Sequence, residues 1–236
     1  MIVSANNPYT ALQKETLNLG YQRWSSKNRN IVTDKWAELN AADACAELLQ
    51  DISPEAHILD FGCGAARDIV LRASRFPQMD GADISATALL RAKEYIGEAI
   101  PDQPYHHVLH TVDGVSLRPI ANQQYDVIYS AFTFQFITVY DIRRSILNDC
   151  KRVLRPDGKL VFQMACGGDD RNVDYYYNNY ASQLINGIGG VNANQDEIYK
   201  DLAEFGYKDI DINIVEAAVR DAHDCFPNWV MVRCSV

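Results

Sequence analysis

Between residues 57 and 166 short apolar runs alternate with helix-like segments, and no other feature of the chain restricts its fold as much. The runs are HILDF (57–61), QMDGAD (78–83), HHVLHTV (106–112), YDVIYSAF (125–132) and KLVFQMAC (159–166). Among them lie a helix starting after Gly64, a helix over 86–97 and a helix over 142–154, the last followed by the turn Pro156-Asp157-Gly158. Strands that alternate with helices imply βαβ units and a parallel sheet with right-handed crossovers. The tail departs from this rhythm. A helix over 195–206 precedes two strand-like runs, 209–215 and 228–236, with only about twelve residues between them. So short a connection favours an antiparallel pair, giving an α/β fold of seven strands, mostly parallel, with a terminal antiparallel hairpin and helices on both faces. Upstream, residues 31–50 place Trp36, Leu39, Cys45, Leu48 and Leu49 on one face of a helix with Asp34 as its N-cap, ended by Ser53-Pro54.

The 236 residues, 47% of them hydrophobic, suffice for one domain with its own core, and no Pro/Gly/Ser-rich linker divides them. The expected organisation is a single domain over 1–236. It comprises an N-terminal helical arm (1–55), a ligand-binding core (56–166), a substrate-side insert (167–193) and a terminal helix with hairpin (194–236). Lys and Arg total 22 against 31 Asp and Glu, a net charge of −9, which argues against the basic footprint of a nucleic-acid binder and the basic face of a membrane-surface helix. The N-terminus lacks the pattern of a signal peptide, and the apolar stretch 127–140 falls short of the ~20 residues of a membrane span. A cytoplasmic protein is expected. Cysteines 45, 63, 150, 166, 225 and 234 are scattered singly, without zinc or iron–sulfur spacing, and read as reduced core thiols; no metal site is expected.

In an open α/β sheet ligands bind beyond the carboxyl ends of the strands. The first such end reads Asp60-Phe61-Gly62-Cys63-Gly64-Ala65-Ala66, where two glycines permit a tight turn and a close approach of backbone to ligand. A dinucleotide fingerprint requires glycine where this chain has Arg67, which argues against a nicotinamide cofactor. The second strand ends at Asp83, 19 residues past Gly64, a spacing suited to a carboxylate that accepts hydrogen bonds from a ribose.

These segments, ILDFGCGAARD, GADISATALLRAKE, TVDG, YDVIYSAFTFQFI and RVLRPDGKLVF, resemble the successive motifs of class I S-adenosylmethionine-dependent methyltransferases of the small-molecule type. The resemblance runs from about residue 56 to 166, the terminal hairpin is similar as well, and it implies the Rossmann-like sheet of that family. Carried over by position, it implies that Asp60 and the backbone of Gly62, Cys63 and Gly64 surround the methionine part of S-adenosyl-L-methionine. Asp83 then holds the ribose, with Ile84 against adenine. Asp113 accepts the adenine amino group beside Gly114, and Ser130 lines the cofactor through its backbone. Where the family usually has a third glycine, this chain has Ala66. Arg67 and Asp68 either reach the methionine end or form an ion pair at the helix start. Tyr21 and Trp24 of the arm resemble a segment that closes over cofactor and acceptor.

Methyl transfer from a sulfonium relies on alignment and water exclusion and needs no diagnostic catalytic residue. Aromatic faces hold cations, and Tyr9, Tyr21, Trp24, Phe132, Phe134, Phe136, Tyr175, Tyr176, Tyr177 and Tyr180 cluster near the expected mouth. Trp24, Phe132, Gln135, Tyr175, Tyr176 and Tyr180 are the candidate acceptor-binding residues, with 176/180 and 177/180 at helical spacing. His106, His107, His110 and His223 are the candidate bases, His106 and His110 on one sheet face and His107 on the other. The chain lacks the Asn/Asp-Pro-Pro-aromatic and Pro-Cys motifs of nucleic-acid base methylation and a carboxylate at the end of the fourth strand for a catechol-type metal. The expectation is transfer to O or N of a small organic acceptor by a monomer or homodimer. The alternatives are non-methyl chemistry on the same cofactor, such as intramolecular cyclisation, an RNA or protein methyltransferase, or a non-catalytic binding module.

Overall fold

The structure, a computed structural model, describes residues 4, 7–25, 45–103, 105–166, 176–177, 180–183, 190–216 and 228–236, with residues 20–25 and 176–177 through their backbone. Seven strands form one sheet: β1 (Ile58–Phe61), β2 (Met79–Asp83), β3 (Leu109–Thr111), β4 (Tyr125–Ser130), β5 (Leu154–Cys166), β8 (Lys208–Glu216) and β9 (Asn228–Ser235). Their order is β3-β2-β1-β4-β5-β9-β8. The first five pair in parallel, and β9 inserts antiparallel between β5 and β8. The expected seven strands and terminal hairpin are therefore present. The third strand is shorter than the run over 106–112, and the Pro156-Asp157-Gly158 turn lies within β5 as an irregularity of its pairing with β4.

Helices α1 (Pro8–Ser25), α2 (Arg67–Arg72), α3 (Ala86–Ala99), α4 (Tyr140–Val153) and α5 (Gln195–Glu204) surround the sheet. Local chemistry sets their starts: Ser85 and Asn194 cap α3 and α5 by accepting the N–H of Ala88 and Glu197. Alternate strand residues feed two cores. Leu59, Phe61, Ile128, Leu160 and Phe162 pack with Ile142, Ile146 and Leu147 of α4 and Ile198 and Leu202 of α5. On the other face, Ile58, Met79, Val127, Tyr129 and Val161 pack with Ile69 of α2 and Leu89 and Ala92 of α3.

Of the helix expected over 31–50, residues 45–50 are described; Cys45, Leu48 and Leu49 there are buried and Glu47–Leu49 is a 3-10 turn, while the remainder, with Asp34, lies outside the described residues. The helical spacing read into the tyrosine cluster is corrected: Tyr176–Tyr177 is extended, a strand β6 that pairs in parallel with β7 (Gly190–Val191). Cys45, Cys63, Cys150, Cys166 and Cys234 are free thiols, and Cys225 lies outside the described residues. Among the described residues no helix is long and apolar enough to cross a membrane.

At the amino end of the strands, away from the glycine turn, the carboxylate of Asp80 is fully buried. Tyr125 Oη donates to its Oδ2 at 2.8 Å, with His57 Nε2 2.9 Å from the same oxygen, while Tyr105 Oη and the Val108 N–H donate to Oδ1 at 3.0 and 2.7 Å. One side chain of β2 thus joins β4, the residue just before β1 and the segment leading into β3.

Candidate functional site

At the carboxyl ends of β1, β2 and β4 lies a cavity of about 500 Å³, within the range of small-molecule sites. The chain reverses out of β1 through Gly62 (φ 79°), whose N–H donates to the Ala82 carbonyl at 2.7 Å. A Cβ on Gly62 would stand 2.0 Å from Thr133 Oγ1, so only glycine allows the segment after β4 to lie on the turn. Ala66 takes the left-handed conformation (φ 65°) at the start of α2, a position at which glycine avoids the cost that a Cβ incurs.

Asp83 ends β2 with its carboxylate gripped by backbone: the Gly64 N–H donates to Oδ2 at 3.0 Å and the Ser85 N–H to Oδ1 at 2.8 Å. Burial raises its pKa, and those donors oppose the rise. Asp60, at the end of β1, is 3% exposed and lines the cavity without a hydrogen bond or ion pair to any described residue. Burial, then the nearby Asp68 carboxylate, pushes its pKa well up. Asp68 itself is paired with Arg67 at 2.5 Å and Arg72 at 3.1 Å, so the ion pair weighed at the helix start is present, although Arg67 and Asp68 also line the cavity.

Of the residues singled out in the sequence, Asp60, Gly62, Cys63, Gly64, Asp83, Ile84, Gly114 and Phe132 meet around this one cavity. Phe132 sits at φ 56°, its N–H donating to Gln163 Oε1 at 2.8 Å, its ring 5.2 Å from that of Trp229 and 5.9 Å from the Arg67 guanidinium carbon. Others stand apart. Asp113 turns its carboxylate into its own loop, accepting from the N–H groups of Val115 and Ser116 at 2.9 and 2.7 Å and from Ser116 Oγ at 2.9 Å, and it is outside the lining. Its neighbours Val112 and Gly114 form the wall instead. Ser130 donates its hydroxyl to the Phe61 carbonyl at 2.8 Å, and the next residue, Ala131, reaches the cavity.

Gln135 accepts the Ala165 N–H at 3.1 Å and Tyr180 donates to Asp201 at 3.1 Å; both are buried in packing, outside the lining. Phe134 is core, between Phe61 and Phe162. His106, His107 and His110 also lie outside the lining, His110 beside Tyr125 and His107 on the Met79 carbonyl. Tyr21, Trp24, Tyr176 and Tyr177 have only their backbone described, and Tyr175 and His223 lie outside the described residues.

The sequence reading missed Gln13 and Leu17, which with Tyr9 form one face of α1 at i, i+4 and i+8 and wall the cavity. That spacing was the available signal. Tyr9 Oη donates to the Phe136 carbonyl at 3.0 Å and accepts the Thr138 N–H at 2.8 Å, tying α1 to the segment after β4. Asn18 ties it to α3 by accepting from Ser85 Oγ at 2.7 Å. Arg91, Glu94, Tyr95 and Glu98 of α3, also missed, complete the rim; their helix was foreseen, but not the face it turns to the cavity.

A sheet of this order, with a glycine turn after the first strand and a buried carboxylate ending the second, defines the class I S-adenosylmethionine-dependent methyltransferase fold. The solved structures agree. Magnesium protoporphyrin IX methyltransferase from Synechocystis with bound SAM matches with a TM-score of 0.67 at 15% identity, over 99% of both chains. Phosphoethanolamine N-methyltransferase 2 from Haemonchus contortus matches at 0.65 and 15%, over 99% of this chain and 60% of that one. The cyclase SpnF matches at 0.61 and 14%, over 83% and 80%. Residues 59–162, from β1 into β5, match the family model described as a methyltransferase domain. A curated relative, carboxy-S-adenosyl-L-methionine synthase from Chromohalobacter salexigens, is 33% identical over 110 residues, a match covering 45% of this chain and 38% of the relative.

Proposed function

We propose that the chain transfers a methyl group from S-adenosyl-L-methionine to a small organic acceptor. The observation that carries this is the Asp83 carboxylate, fixed by two backbone N–H groups at the edge of a cavity built on the Gly62 turn. The residues present fit the cofactor. Asp83 offers acceptor lone pairs to the ribose hydroxyls, and Ile84 and Gly114 pack together where adenine would lie, a Cβ on Gly114 being excluded by Ile84 Cδ1 at 2.4 Å. Asp60, buried and without a hydrogen bond, offers its charge to the ammonium end. The cofactor, when bound, supplies an electrophilic methyl on a positively charged sulfur. The protein's own part is to orient and to exclude water: Tyr9, Leu17, Phe136, Ile137 and Ile146 give the cavity an apolar acceptor side.

A second reading, non-methyl chemistry on the same cofactor, is supported by the similarity to carboxy-S-adenosyl-L-methionine synthase. One experiment separates them. Calorimetric titration with S-adenosylmethionine and S-adenosylhomocysteine, with NADH as control, tests the cofactor, and chromatography of turnover mixtures follows. S-adenosylhomocysteine formed with a methylated acceptor supports methyl transfer. Consumption of the cofactor without it supports the second reading, and absence of binding defeats both.

A further inference from the structure

Arg143 has no exposed surface at all. It lies on α4 one turn before Ile146, a wall residue of the cavity, and donates one terminal nitrogen to the carbonyl of Ile137, another wall residue, and the other to the carbonyl of Tyr180. Its Nε has no partner among the described residues. The rings of Tyr180 and Tyr140 lie 4.8 and 5.7 Å from its guanidinium carbon. No carboxylate of a described residue stands within ion-pair distance of it. Asp201, the acidic group whose field reaches it, is paired with Arg144 and accepts from Tyr140 Oη at 2.8 Å and Tyr180 Oη at 3.1 Å. Burial lowers the Arg143 pKa, but a guanidinium stays charged in a folded protein.

A buried cation with no counter-anion at ion-pair distance is costly, and this one, unpaired among the described residues, bonds the backbone of the wall residue Ile137, lies one turn before Ile146 and acts electrostatically on Tyr9. Elsewhere the lining carries five carboxylates, Asp60 and Asp83 among them, against the guanidinium groups of Arg67 and Arg91, an acidic excess that suits a cationic cofactor. The Arg143 field thus falls on the Tyr9–Ile137–Ile146 wall, while the acidic excess belongs to the rest of the lining. From this we infer that the acceptor is a small organic acid, bound as its carboxylate against the Tyr9–Ile137–Ile146 wall, with Arg143 as the positioning residue that selects it through its field. The inference rests on the methyltransferase reading above and specifies its substrate. An anionic acceptor also arrives with no proton to remove, in accord with a lining that contains none of the described histidines.

The test uses the full chain loaded with S-adenosylhomocysteine and titrated with benzoate against benzamide, phenylacetate against phenylacetamide, and butyrate against butyramide. The acid of at least one pair should bind about tenfold more tightly than its amide. Arg143→Met should abolish that preference with S-adenosylhomocysteine affinity intact, and Arg143→Lys should keep it, since a merely structural role would not follow charge. Equal or weaker binding of every acid, no acid binding at about 10 mM, or a folded Arg143→Met that still prefers acids overturns the inference. Should Arg143→Met fail to fold, the wild-type ratios and Arg143→Lys decide it. If S-adenosylhomocysteine itself does not bind, the methyltransferase reading fails and this inference falls with it, so the two failures are told apart at the first titration.

Discussion

Asp60, Asp80 and Asp83 are all buried aspartates, but their surroundings push them in opposite directions. Although burial opposes it, hydrogen bonds from His57, Val108, Tyr125 and Tyr105 hold Asp80 below the usual carboxylate range. Its stabilisation is therefore present above the unfolded value of about 3.9 and is lost as pH falls through its lowered pKa. For Asp60 and Asp83, raised by burial, the sign reverses: their favourable contribution is complete below that unfolded value and lost as pH rises through the raised pKa, so at neutral pH the cofactor-free protein carries their cost. Asp60→Asn should accordingly raise the stability of the cofactor-free protein by about 1 kcal/mol in denaturant melts while weakening S-adenosylmethionine binding; a destabilised variant would contradict the electrostatic account. Asp83→Ala should weaken cofactor binding by about 1–3 kcal/mol in calorimetry, and unchanged affinity in a folded variant would remove the ribose role. Asp83 was legible from its distance past Gly64. Asp80 was not, because nothing in QMDGAD shows that two tyrosines and a histidine from elsewhere in the chain converge on it.

Helix α1 shows how an element far from the motifs becomes part of the site. It is held near its start by Tyr9 on the segment after β4 and further along by Asn18 on the start of α3. Tyr9→Phe leaves the buried Thr138 N–H without its acceptor and should cost about 1–3 kcal/mol, read as a lower denaturation midpoint with faster amide exchange in α1. An unchanged midpoint would mean that apolar contact alone holds the helix. The sequence reading expected a closing arm from the resemblance at Tyr21 and Trp24, and named Tyr9 only among the aromatics near the mouth; Gln13 and Leu17 became visible only with the direction in which the helix packs. The tyrosine cluster misled for a related reason. Spacing of three or four residues marks a helix only when the backbone is helical, and Tyr176–Tyr177 instead pairs with Gly190–Val191.

The whole sheet was the most legible part of the molecule, since strand–helix alternation and the short final connection together limited the topology before any contact was known. The insertion of β9 between β5 and β8 depends on long-range pairing that no local pattern reports. The Asp80 cluster acts at this scale, so Asp80→Asn should cost about 2–4 kcal/mol in global unfolding while leaving cofactor affinity in the folded fraction unchanged; loss of affinity without loss of stability would refute that separation. Asp80 works like the rivet of a hand fan. The ribs are clamped where they start and free where they end, so the pleats at the open rim can spread or change shape over evolutionary time without the ribs slipping past one another. New acceptors can be accommodated at that rim while the register that pairs Asp60 with Gly81, and so keeps it two residues from Asp83, stays as it is.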